Sequence, residues 1–456
     1  MATIAERLSE FAHDLAYEAI PEEVKRRARY LILDATGIAL AASTYDFAHK
    51  TVNSLASFGV GDSDVIGMPV KLHLRDAVLA NGSLIHGLDY DDTHLMGPIH
   101  VTSSCFSTAL GVAAHARKSG KELLAAYIVG VETATRVAAV AKGRLTRIGF
   151  HPTGLAAAFG CSLITGKAYD LSLEQLTMAQ GIVLSMASGA REYSSNSSGS
   201  KRLHPGWGGV AGITAAVLAR GGVTGPRTTY EGRYGLYASH LGADVTPEDL
   251  ARATAELGSR WETLHVAIKP FPVGQHNIPF IDAAIAIARQ GKIRSEDIQS
   301  VEALVGQRLV GVVCEPMAMR RRPVDSYAAQ FSIYFAIACA LLRQRFTLAD
   351  LECHADADLL SLADKVSYSL DPNAGHPYHS TAEVIVTLKN GQVLRHREED
   401  ARGSTDKPLT EDDIVDKYMA NAQMAASCRR AEAIKNLILA VEMTDAQYLG
   451  QQLAAV

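Results

Sequence analysis

Apolar residues recur at intervals of three and four from the N-terminus to about Trp261. This interval places them on one face of an α-helix, and Gly and Pro residues separate the periodic segments. Ser172 and Gln175 fit a capping box, which predicts that a helix begins after Ser172. The clearest periodic segments are 22–41, 74–88, 106–117, 123–141, 173–187 and 210–220. Several are apolar on nearly every face, which predicts a multilayered helical domain or a subunit interface, and hence a homo-oligomer.

The pattern changes after Lys269. Segments 299–305, 365–370, 382–388 and 392–395 are typical of strands, and Asn390-Gly391 before the last of them favours a tight hairpin. With helical segments at 281–289 and 327–342, they predict an α+β domain with a small antiparallel sheet. Helical periodicity returns at 411–419 and 431–441. The predicted fold class is mainly α with an inserted α+β domain: residues 1–268 form an all-helical domain that 403–456 completes, and 269–402 form the insertion.

Length and charge narrow the class of protein. The chain has 456 residues, of which 48% are hydrophobic and 20% charged, and its formal net charge is -5. This composition is typical of a globular protein, and the length suggests about two to three domains. The small negative charge lacks the broad positive field that nucleic acid or anionic lipid would require. We therefore expect no nucleic-acid partner.

Export, membrane insertion and metal binding are not expected either. Charged residues interrupt the first twenty positions, where a secretory signal needs an apolar core. The apolar run 331–342 has about a dozen residues, whereas a bilayer-spanning helix needs about twenty. The six cysteines are scattered and form no Cys-x-x-Cys pair, the usual sign of zinc or iron–sulfur ligation. The expected location is a reducing cytoplasm.

A first candidate site is the sequence Leu-Asp-Tyr-Asp-Asp-Thr-His at 88–94, which ends an apolar helix with polar groups. If the helix continued, Asp89 and Thr93 would share one face close to His86. A Gly-Pro turn just beyond could return His100 to the same region. Alternatively, these acids and histidines only cap and solvate a helix end.

Two further candidates are segments that each carry a histidine beside a proline. Pro152 suits the first helical position and leaves His151 at the positive end of the helix, which favours its neutral, base-competent form. In segment 195–209, small residues flank Lys201 and His204, as an anion-binding loop requires. The alternatives are a packed loop histidine at 151 and a flexible linker at 195–209.

The fourth candidate, Lys-Pro-Phe-Pro-Val-Gly-Gln-His at 269–276, lies where the helical pattern stops. Lys269 and His276 at a domain border suit substrate binding, because clefts between domains are common ligand sites. The alternative is a rigid Pro-rich hinge with an exposed lysine. The chain lacks Gly-x-x-x-x-Gly-Lys-Ser/Thr, which excludes a phosphate-binding P-loop.

In this order and spacing, the four motifs resemble the MmgE/PrpD family, whose members include 2-methylcitrate dehydratase, cis-aconitate decarboxylase and iminodisuccinate epimerase. The resemblance spans nearly the whole chain. It rests on 88–93 with the downstream His100, on Phe150-His151-Pro152, on Lys201 with Leu203-His204, and on Lys269-Pro270-Phe271-Pro272 with His276. It implies an all-helical first domain, a smaller α+β domain, a homodimer and an active site between the domains.

The resemblance also implies acid–base chemistry on a small di- or tricarboxylate, without metal, flavin or nicotinamide. The catalytic residues expected from it are His151, His100, Lys201 and Lys269, and the substrate-binding residues are Asp89, Thr93, His204 and His276. We assign the base role to His151 and the second proton transfer to His100. The two lysines would neutralise carboxylates and stabilise the enediolate-like charge.

Two departures from the family bear on the reaction. In 2-methylcitrate dehydratases the first motif resembles Asp-Tyr-Asn-Asp-Thr, whereas Asp91 replaces the asparagine here, and Val-Thr-Ser follows His100 where the dehydratases have Pro-Ser-Asp. In cis-aconitate decarboxylases a tyrosine lies some fifteen residues before the equivalent of Ser332, and a gapless count places Met317 there. By exclusion, we expect an epimerase of the iminodisuccinate epimerase type. The alternatives are a hydro-lyase of the 2-methylcitrate dehydratase type and, third, a decarboxylase.

Two other classes compete with these enzymes. Asp91-Asp92 in a helical domain is reminiscent of terpene synthases, but Leu95 occupies the position of the third acid, and magnesium needs several oxygen ligands. A helical scaffold or binding protein would have to explain four loops that carry His or Lys between apolar helices. Both alternatives predict no turnover of a polycarboxylate.

Overall fold

The computed structural model describes residues 2–196, 198–242, 245–291, 293–374 and 381–454. Contacts between Cα atoms divide the chain into two compact units. The first comprises Met1–Gly87, Asp91–Ala267 and Thr410–Val456, and the second comprises Leu88–Tyr90 and Ile268–Leu409. The junctions predicted from the sequence lie at 268/269 and 402/403.

The first unit is mainly helical, as the sequence predicts. Its helices up to Ala267 are α1 (Ile4–Asp14), α2 (Glu22–Ser43), α3 (Asp46–Ala56), α4 (Leu74–His86), α5 (Val101–His115), α6 (Gly120–Val140), α7 (Arg144–Arg147), α8 (Pro152–Leu155), α9 (Ala157–Ala168), α10 (Leu173–Val183), α11 (Tyr193–Asn196), α12 (His204–Arg220), α13 (Leu236–Leu241) and α14 (Pro247–Ala251). The predicted capping box is present, because Ser172 Oγ accepts from the backbone of Gln175 and the Gln175 side chain accepts from the backbone of Ser172.

The centre of this unit is a stack of apolar helices. Helix α9 packs against α6 and α12, and α12 also packs against α4 and α5. Helix α6 is long and apolar enough to cross a membrane by length and composition, but 94% of its most apolar window is buried inside the protein. Burial among neighbouring helices makes α6 a core helix.

The first unit also contains two short antiparallel pairs that the sequence patterns did not predict. Strands β1 (Ser63–Val65) and β2 (Met68–Leu72) form one pair, and β3 (Thr93–His94) and β4 (Val266–Ala267) form the other. The second pair joins segments more than 170 residues apart, and no local pattern signals such a pairing.

The second unit contains α15 (Ile278–Gly291), α16 (Met317–Arg321), α17 (Ser326–Ala329), α18 (Ile333–Arg343), α19 (Leu348–Leu351) and α20 (Ala357–Ala363), with strands β5 (Ile298–Val305), β6 (Val366–Leu370), β7 (Ala382–Leu388) and β8 (Val393–Glu398). The strand order is β6-β5-β7-β8. The residues of β7 alternate between buried and partly exposed, and α15 packs against β7 and β8. The predicted hairpin is present, with Gly391 at φ 85° in its turn.

Two expectations for this unit are corrected. The sheet is mixed rather than antiparallel, because β6 pairs with β5 in parallel. The chain between these strands passes through α16 to α20, a crossover long enough to return the strand in the same direction. The helix predicted at 327–342 is interrupted before α18, where the buried Ser332 caps the new helix by accepting from the backbone N–H of Phe335.

The chain then returns to the first unit. Helices α21 (Glu411–Ala422), α22 (Cys428–Leu439) and α23 (Ala446–Ala454) follow the second unit, and α21 packs along α2. Lys417 of α21 forms a buried ion pair with Asp34 of α2, with 2.7 Å between Nζ and Oδ1. Both ends of the chain therefore build the helical unit.

Candidate active site

Four histidines of the first unit form a compact cluster. The ring centroid of His86 lies 4.9 Å from that of His100 and 5.6 Å from that of His151. The ring of His151 lies 6.1 Å from His100 and 5.2 Å from His204. Each residue lies at a helix end: His86 ends α4, His100 precedes α5, His151 precedes α8 and His204 begins α12. The fold thus gathers three of the predicted histidines and adds His86.

Small residues let these helix ends approach one another. A Cβ atom added to Gly154 would lie 2.5 Å from the carbonyl oxygen of Ser188 and 3.2 Å from Cβ of His204. One added to Gly82 of α4 would lie 2.5 Å from the backbone nitrogen of Gly206 in α12. Real Cβ atoms do not approach that closely, so only glycine fits at these two positions.

His151 and His204 are joined directly, with 3.0 Å between their Nδ1 atoms. Burial, followed by the neighbouring His86 and the Lys201 ammonium, holds the pKa of His151 well below its usual value of 6.5. Burial and the same two neighbours lower the pKa of His204 to about 4. Both rings are therefore neutral at pH 7, and His151 precedes Pro152 at a helix start, as the sequence predicted.

Lys201 brings a positive charge to this cluster. It lies in a 3₁₀-helix, Gly199–Leu203, directly before α12, and only 7% of the residue is exposed. Its charge lowers the pKa of both His151 and His204. A buried cation beside a neutral imidazole is the combination that binds a carboxylate and removes a proton next to it.

His100 is held from two sides. Its Nδ1 lies 2.7 Å from the carbonyl oxygen of Asp92 and 3.2 Å from Oγ1 of Thr93. Its backbone N–H donates to Oγ1 of Thr153 over 3.0 Å. The backbone between His94 and Ile99 closes a turn through hydrogen bonds of 2.8 and 3.3 Å, which confirms that the chain returns His100 to this region.

Helix α4 does not continue through Asp89 and Thr93, so these two residues do not share a helix face. The helix ends at His86, Asp89 has φ 50° in the left-handed region, and Thr93 belongs to β3. A positive φ at a non-glycine residue is incompatible with a continuing right-handed helix. Thr93 nevertheless reaches His100, whereas Asp89 belongs to the second unit.

The two acids that follow Tyr90 are both buried but have different environments. Asp91 Oδ2 lies 2.8 Å from His86 Nδ1. Asp92 accepts from the backbone N–H of Thr102, over 3.2 Å to Oδ1, and from its hydroxyl group at the start of α5. Burial and then the neighbouring Asp91 raise the pKa of Asp92 to about 7. Asp92 is therefore pushed toward its protonated form.

The second unit contains a separate cluster made of the remaining predicted residues. Lys269 Nζ lies 2.7 Å from the carbonyl oxygen of Asp89 and 3.1 Å from its Oδ1, and both residues are almost fully buried. Burial, and then Lys269, lower the pKa of His276 to about 4, while Asp89 opposes the shift. Tyr90 donates from its hydroxyl group to the carbonyl oxygen of Pro270 over 2.9 Å. The lysine of this motif is thus a buried ion-pair partner and not an exposed hinge residue.

Sequence reasoning did not include His86 or Asp91 among the site residues. Their pairing needs the chain to leave the helix after His86, and a periodicity argument cannot show such a turn. A signal was present nonetheless, because His86 ends a helix and three acids follow within six positions. Buried polar groups of this kind need partners and commonly mark functional sites.

Comparison with known proteins identifies two family domains that together cover nearly the whole chain. The family model of the MmgE/PrpD N-terminal domain matches residues 6–248, and that of the MmgE/PrpD C-terminal domain matches residues 271–443. The cis-aconitate decarboxylase-like protein oryM of Aspergillus oryzae is 26% identical over 96% of this chain and 94% of its own length. The cis-aconitate decarboxylases of Aspergillus terreus and Mus musculus are each 25% identical over 97% of this chain, and over 94% and 91% of their own lengths.

Proposed function

This chain belongs to the MmgE/PrpD family of enzymes, and on that basis we propose that it removes and returns a proton at a carbon next to a carboxylate of a small di- or tricarboxylate, using its own side chains as acid and base. The observation that carries the proposal is the histidine pair at the start of α8 and α12. His151 is buried, neutral and in contact with His204, and the Lys201 charge lies close by.

Each of these features serves a definite step. A neutral imidazole can accept the proton, and its contact with His204 through Nδ1 directs the exchange to Nε2. The electron pair of the broken C–H bond passes into the adjacent carboxylate as an enediolate, and a buried ammonium stabilises that charge more than water does. Lys201 would supply this ammonium.

Within this chemistry we favour epimerisation. Returning the proton to the opposite face of the carbon requires a second acid–base group near the first. His100 is such a group, because its ring centroid lies 6.1 Å from that of His151 and its Nδ1 is held by the carbonyl group of Asp92. Its Nε2 is then the atom that exchanges a proton with the substrate.

Decarboxylation is the second candidate, and the names of the relatives favour it. Three proteins that match nearly the whole chain are a cis-aconitate decarboxylase-like protein and two cis-aconitate decarboxylases. Loss of carbon dioxide leaves a carbanion that must be protonated, and the same histidines could deliver that proton. Met317, where the family resemblance expects a tyrosine in decarboxylases, argues for epimerisation instead.

One experiment separates these reactions. The protein is incubated in deuterated water with iminodisuccinate, cis-aconitate and 2-methylcitrate in turn, and each mixture is followed by NMR. Deuterium at the α-carbon of iminodisuccinate with interconversion of its stereoisomers supports epimerisation. Loss of carbon dioxide from cis-aconitate would show that the reaction is decarboxylation instead. Alkene formation from 2-methylcitrate would show that it is dehydration. Absence of exchange and turnover with all three would overturn the proposal.

Paired variants show whether the cluster does the chemistry. His151→Gln and Lys201→Met should each lower turnover by at least about 100-fold, the usual contribution of a general base or a charge-stabilising group. Lys167→Met is the matched control, because Lys167 is also a partly buried lysine, bonded to the carbonyl oxygen of Ala12 over 2.8 Å, but outside the cluster. Equal losses in all three variants would indicate general destabilisation and contradict the assignment.

We also propose a homodimer that uses one face of α12. Trp207 and Val217 are 43% and 40% exposed, and their spacing places them along one side of α12; Leu203, directly before the helix, is 41% exposed. The segment 203–218 carries no acidic, lysine or arginine side chain. An uncharged apolar face suits a second copy of itself across a two-fold axis.

Light scattering tests the dimer. The wild-type protein should have twice the chain mass of 48.7 kDa, and Trp207→Glu should shift it toward the monomer. Tyr234→Glu is the control at another exposed aromatic residue, which is 76% accessible. A monomeric wild-type protein would contradict the proposal.

A further inference from the structure

Asp91 lies between two rings of the histidine cluster. Its Oδ2 is 2.8 Å from His86 Nδ1, and its Oδ1 is 3.8 Å from His100 Nδ1. The carboxylate and the His86 side chain are 1% and 0% exposed, whereas the His100 side chain is 14% exposed. The accessible histidine and the buried one thus share one carboxylate.

The neighbouring acid shows which of the two aspartates carries the charge. Two adjacent buried carboxyl groups cannot both ionise without a large penalty, so one keeps its proton. Burial and the nearby Asp91 charge raise the pKa of Asp92 to about 7. Asp92 is also bonded to Thr102 at the start of α5. The 2.8 Å contact of Asp91 with His86 Nδ1 then assigns the negative charge to Asp91, beside the histidines.

His151 and His100 therefore have different electrostatic environments. Burial lowers the pKa of His151, and so do the neighbouring side chains His86, Lys201, His100 and His204, because each of these disfavours an added proton. His100, in contrast, has a carboxylate oxygen 3.8 Å from its Nδ1 and the carbonyl oxygen of Asp92 at 2.7 Å. When the environments of two titratable groups differ in this way, one is suited to be the base and the other the acid.

A metal site is the competing interpretation. Ligand atoms of His86, Asp91 and His100 all lie within 4.8 Å of one another. However, His100 Nδ1 is 2.7 Å from the carbonyl oxygen of Asp92, a contact that requires a hydrogen on this nitrogen. The same nitrogen cannot bind a cation while it carries that hydrogen, so a metal ion shared by His100 Nδ1 and Asp91 is incompatible with this hydrogen bond.

We propose that Asp91, oriented by His86, is the positioning residue that keeps His100 protonated as the acid of the site while His151 stays neutral as the base. This inference rests on the proposed proton-transfer function. In one turnover His151 Nε2 takes the proton from the substrate carbon, and the electron pair of the C–H bond enters the enediolate. His100 Nε2–H then gives its proton to the opposite face, its N–H electron pair returns to the ring, and proton exchange with water resets both histidines.

His86 has a defined part in this arrangement. Its Nδ1–H donates to Asp91, and its Nε2 is buried without a hydrogen-bond partner among the described residues. The Nδ1 donor fixes the direction of the carboxylate, so that the other oxygen faces His100. A second buried pair, His94 Nε2 with Glu262 Oε2 at 3.0 Å, has the same chemistry but lies outside the cluster and provides the comparison.

Several charged groups surround this carboxylate, and the test must separate Asp91 from them. They include His86, His100, His151 and Lys201 of the cluster. Two acids, Asp92 and Asp34, interact with Asp91, and Arg27 and Lys417 interact with Asp34. Asp91→Asn removes the charge and keeps an oxygen that can accept from His86. Its effect therefore reports the charge rather than the hydrogen bond.

The first measurement is the pH profile of turnover on whichever of the three polycarboxylates the wild-type protein converts. If the wild-type protein converts none of them, the proposed function is contradicted, and the NMR measurement below decides the inference.

In Asp91→Asn we expect kcat to fall by about 100-fold and the alkaline limb, which reports loss of the His100 proton, to move down by about one pH unit. The acid limb, which reports His151, should stay in place. Glu262→Gln should leave both limbs unchanged. An Asp91→Asn profile with unmoved limbs would overturn the inference.

The second measurement needs no substrate. In wild-type protein labelled with ¹⁵N-histidine, the ring nitrogens report protonation directly, and signals are assigned by comparison with His100→Gln and His151→Gln. The inference requires His100 to remain an imidazolium at pH values where His151 is already neutral. If both rings lose their protons together, or His100 is neutral at pH 6, the inference fails. Stoichiometric metal that Asp91→Asn releases would overturn it in favour of a metal site.

Discussion

The Nδ1 atoms of His151 and His204 lie 3.0 Å apart in a buried environment. One of the two nitrogens must carry a hydrogen and the other must be bare, because two donors or two acceptors cannot share this contact. The pair cannot hold both rings as imidazolium ions without breaking the bond. His204 therefore occupies Nδ1 of His151, which under the proposed function directs proton exchange to Nε2.

This relationship predicts different costs for the two histidines. His151→Gln should lower kcat by at least about 100-fold, because the base itself is lost, whereas His204→Gln should lower it by about 10-fold, because glutamine can still hydrogen-bond to His151. Steady-state kinetics on the active polycarboxylate measures both changes. Equal losses would show that His204 reacts with the substrate itself.

The buried neutral histidines also predict how stability depends on pH. The native pKa of His204 is about 4, and that of His151 lies well below 6.5, so between these values and 6.5 the unfolded chain binds protons that the native protein does not. The free energy of unfolding should fall as the pH drops below 6.5 and continue to fall toward 4.

Thermal unfolding at pH 7 and pH 5 measures this decline. In His204→Gln the drop in melting temperature between the two pH values should be smaller than in the wild-type protein. A drop of the same size in both proteins would show that His204 is protonated at the same pH in the native and unfolded states.

Asp92 predicts a pH dependence of opposite sign. Its native pKa of about 7 lies above the ordinary value of 3.8, so the native protein holds a proton between pH 4 and 7 that the unfolded chain has released. This contribution is present below pH 4 and is lost as the pH rises through 7. Its full size is on the order of 4 kcal/mol.

Asp92→Asn tests this contribution, because the amide cannot ionise and still accepts from the backbone of Thr102. The difference in melting temperature between variant and wild type should shift in favour of the variant from pH 5.5 to pH 8. A difference that is constant with pH would contradict the raised pKa. Asp64→Asn, at an acid that is paired with Lys71 near the surface, is the control and should show no such shift.

The Lys269–Asp89 pair predicts a large effect on the stability of the second unit. Lys269→Met leaves the Asp89 carboxylate buried without its cation, which should cost about 3–5 kcal/mol, because an unpaired buried charge is expensive. The double variant Lys269→Met with Asp89→Asn should recover part of that loss. Denaturant unfolding of the single and double variants measures the coupling.

If the double variant were as unstable as the sum of the two single changes, the pair would have no coupling and the prediction would fail. The family resemblance separately predicts loss of turnover in Lys269→Met. The double variant distinguishes the two effects, because recovered stability without recovered turnover would point to a functional role of the ammonium.

The sequence by itself determined the local elements and the chemistry that its motifs carry. The strand Ala382–Leu388, the capping box at Ser172 and the placement of His151 before Pro152 all follow from the order of neighbouring residues, and the structure contains them. These features depend on side-chain periodicity and on hydrogen bonds within four residues, so a local pattern is enough to predict them. The four motifs together were also sufficient to recognise the family.

Only the tertiary structure decided which of these residues meet. The parallel pairing of β6 with β5, the contact of His151 with His204 and the sharing of Asp91 by His86 and His100 depend on where the chain turns and returns. The end of α4 at His86 and the left-handed backbone of Asp89 decide the last of these. Periodicity placed the end of this helix at Leu88, two residues too late, because a local pattern contains no information about a partner that the fold supplies from elsewhere in the chain.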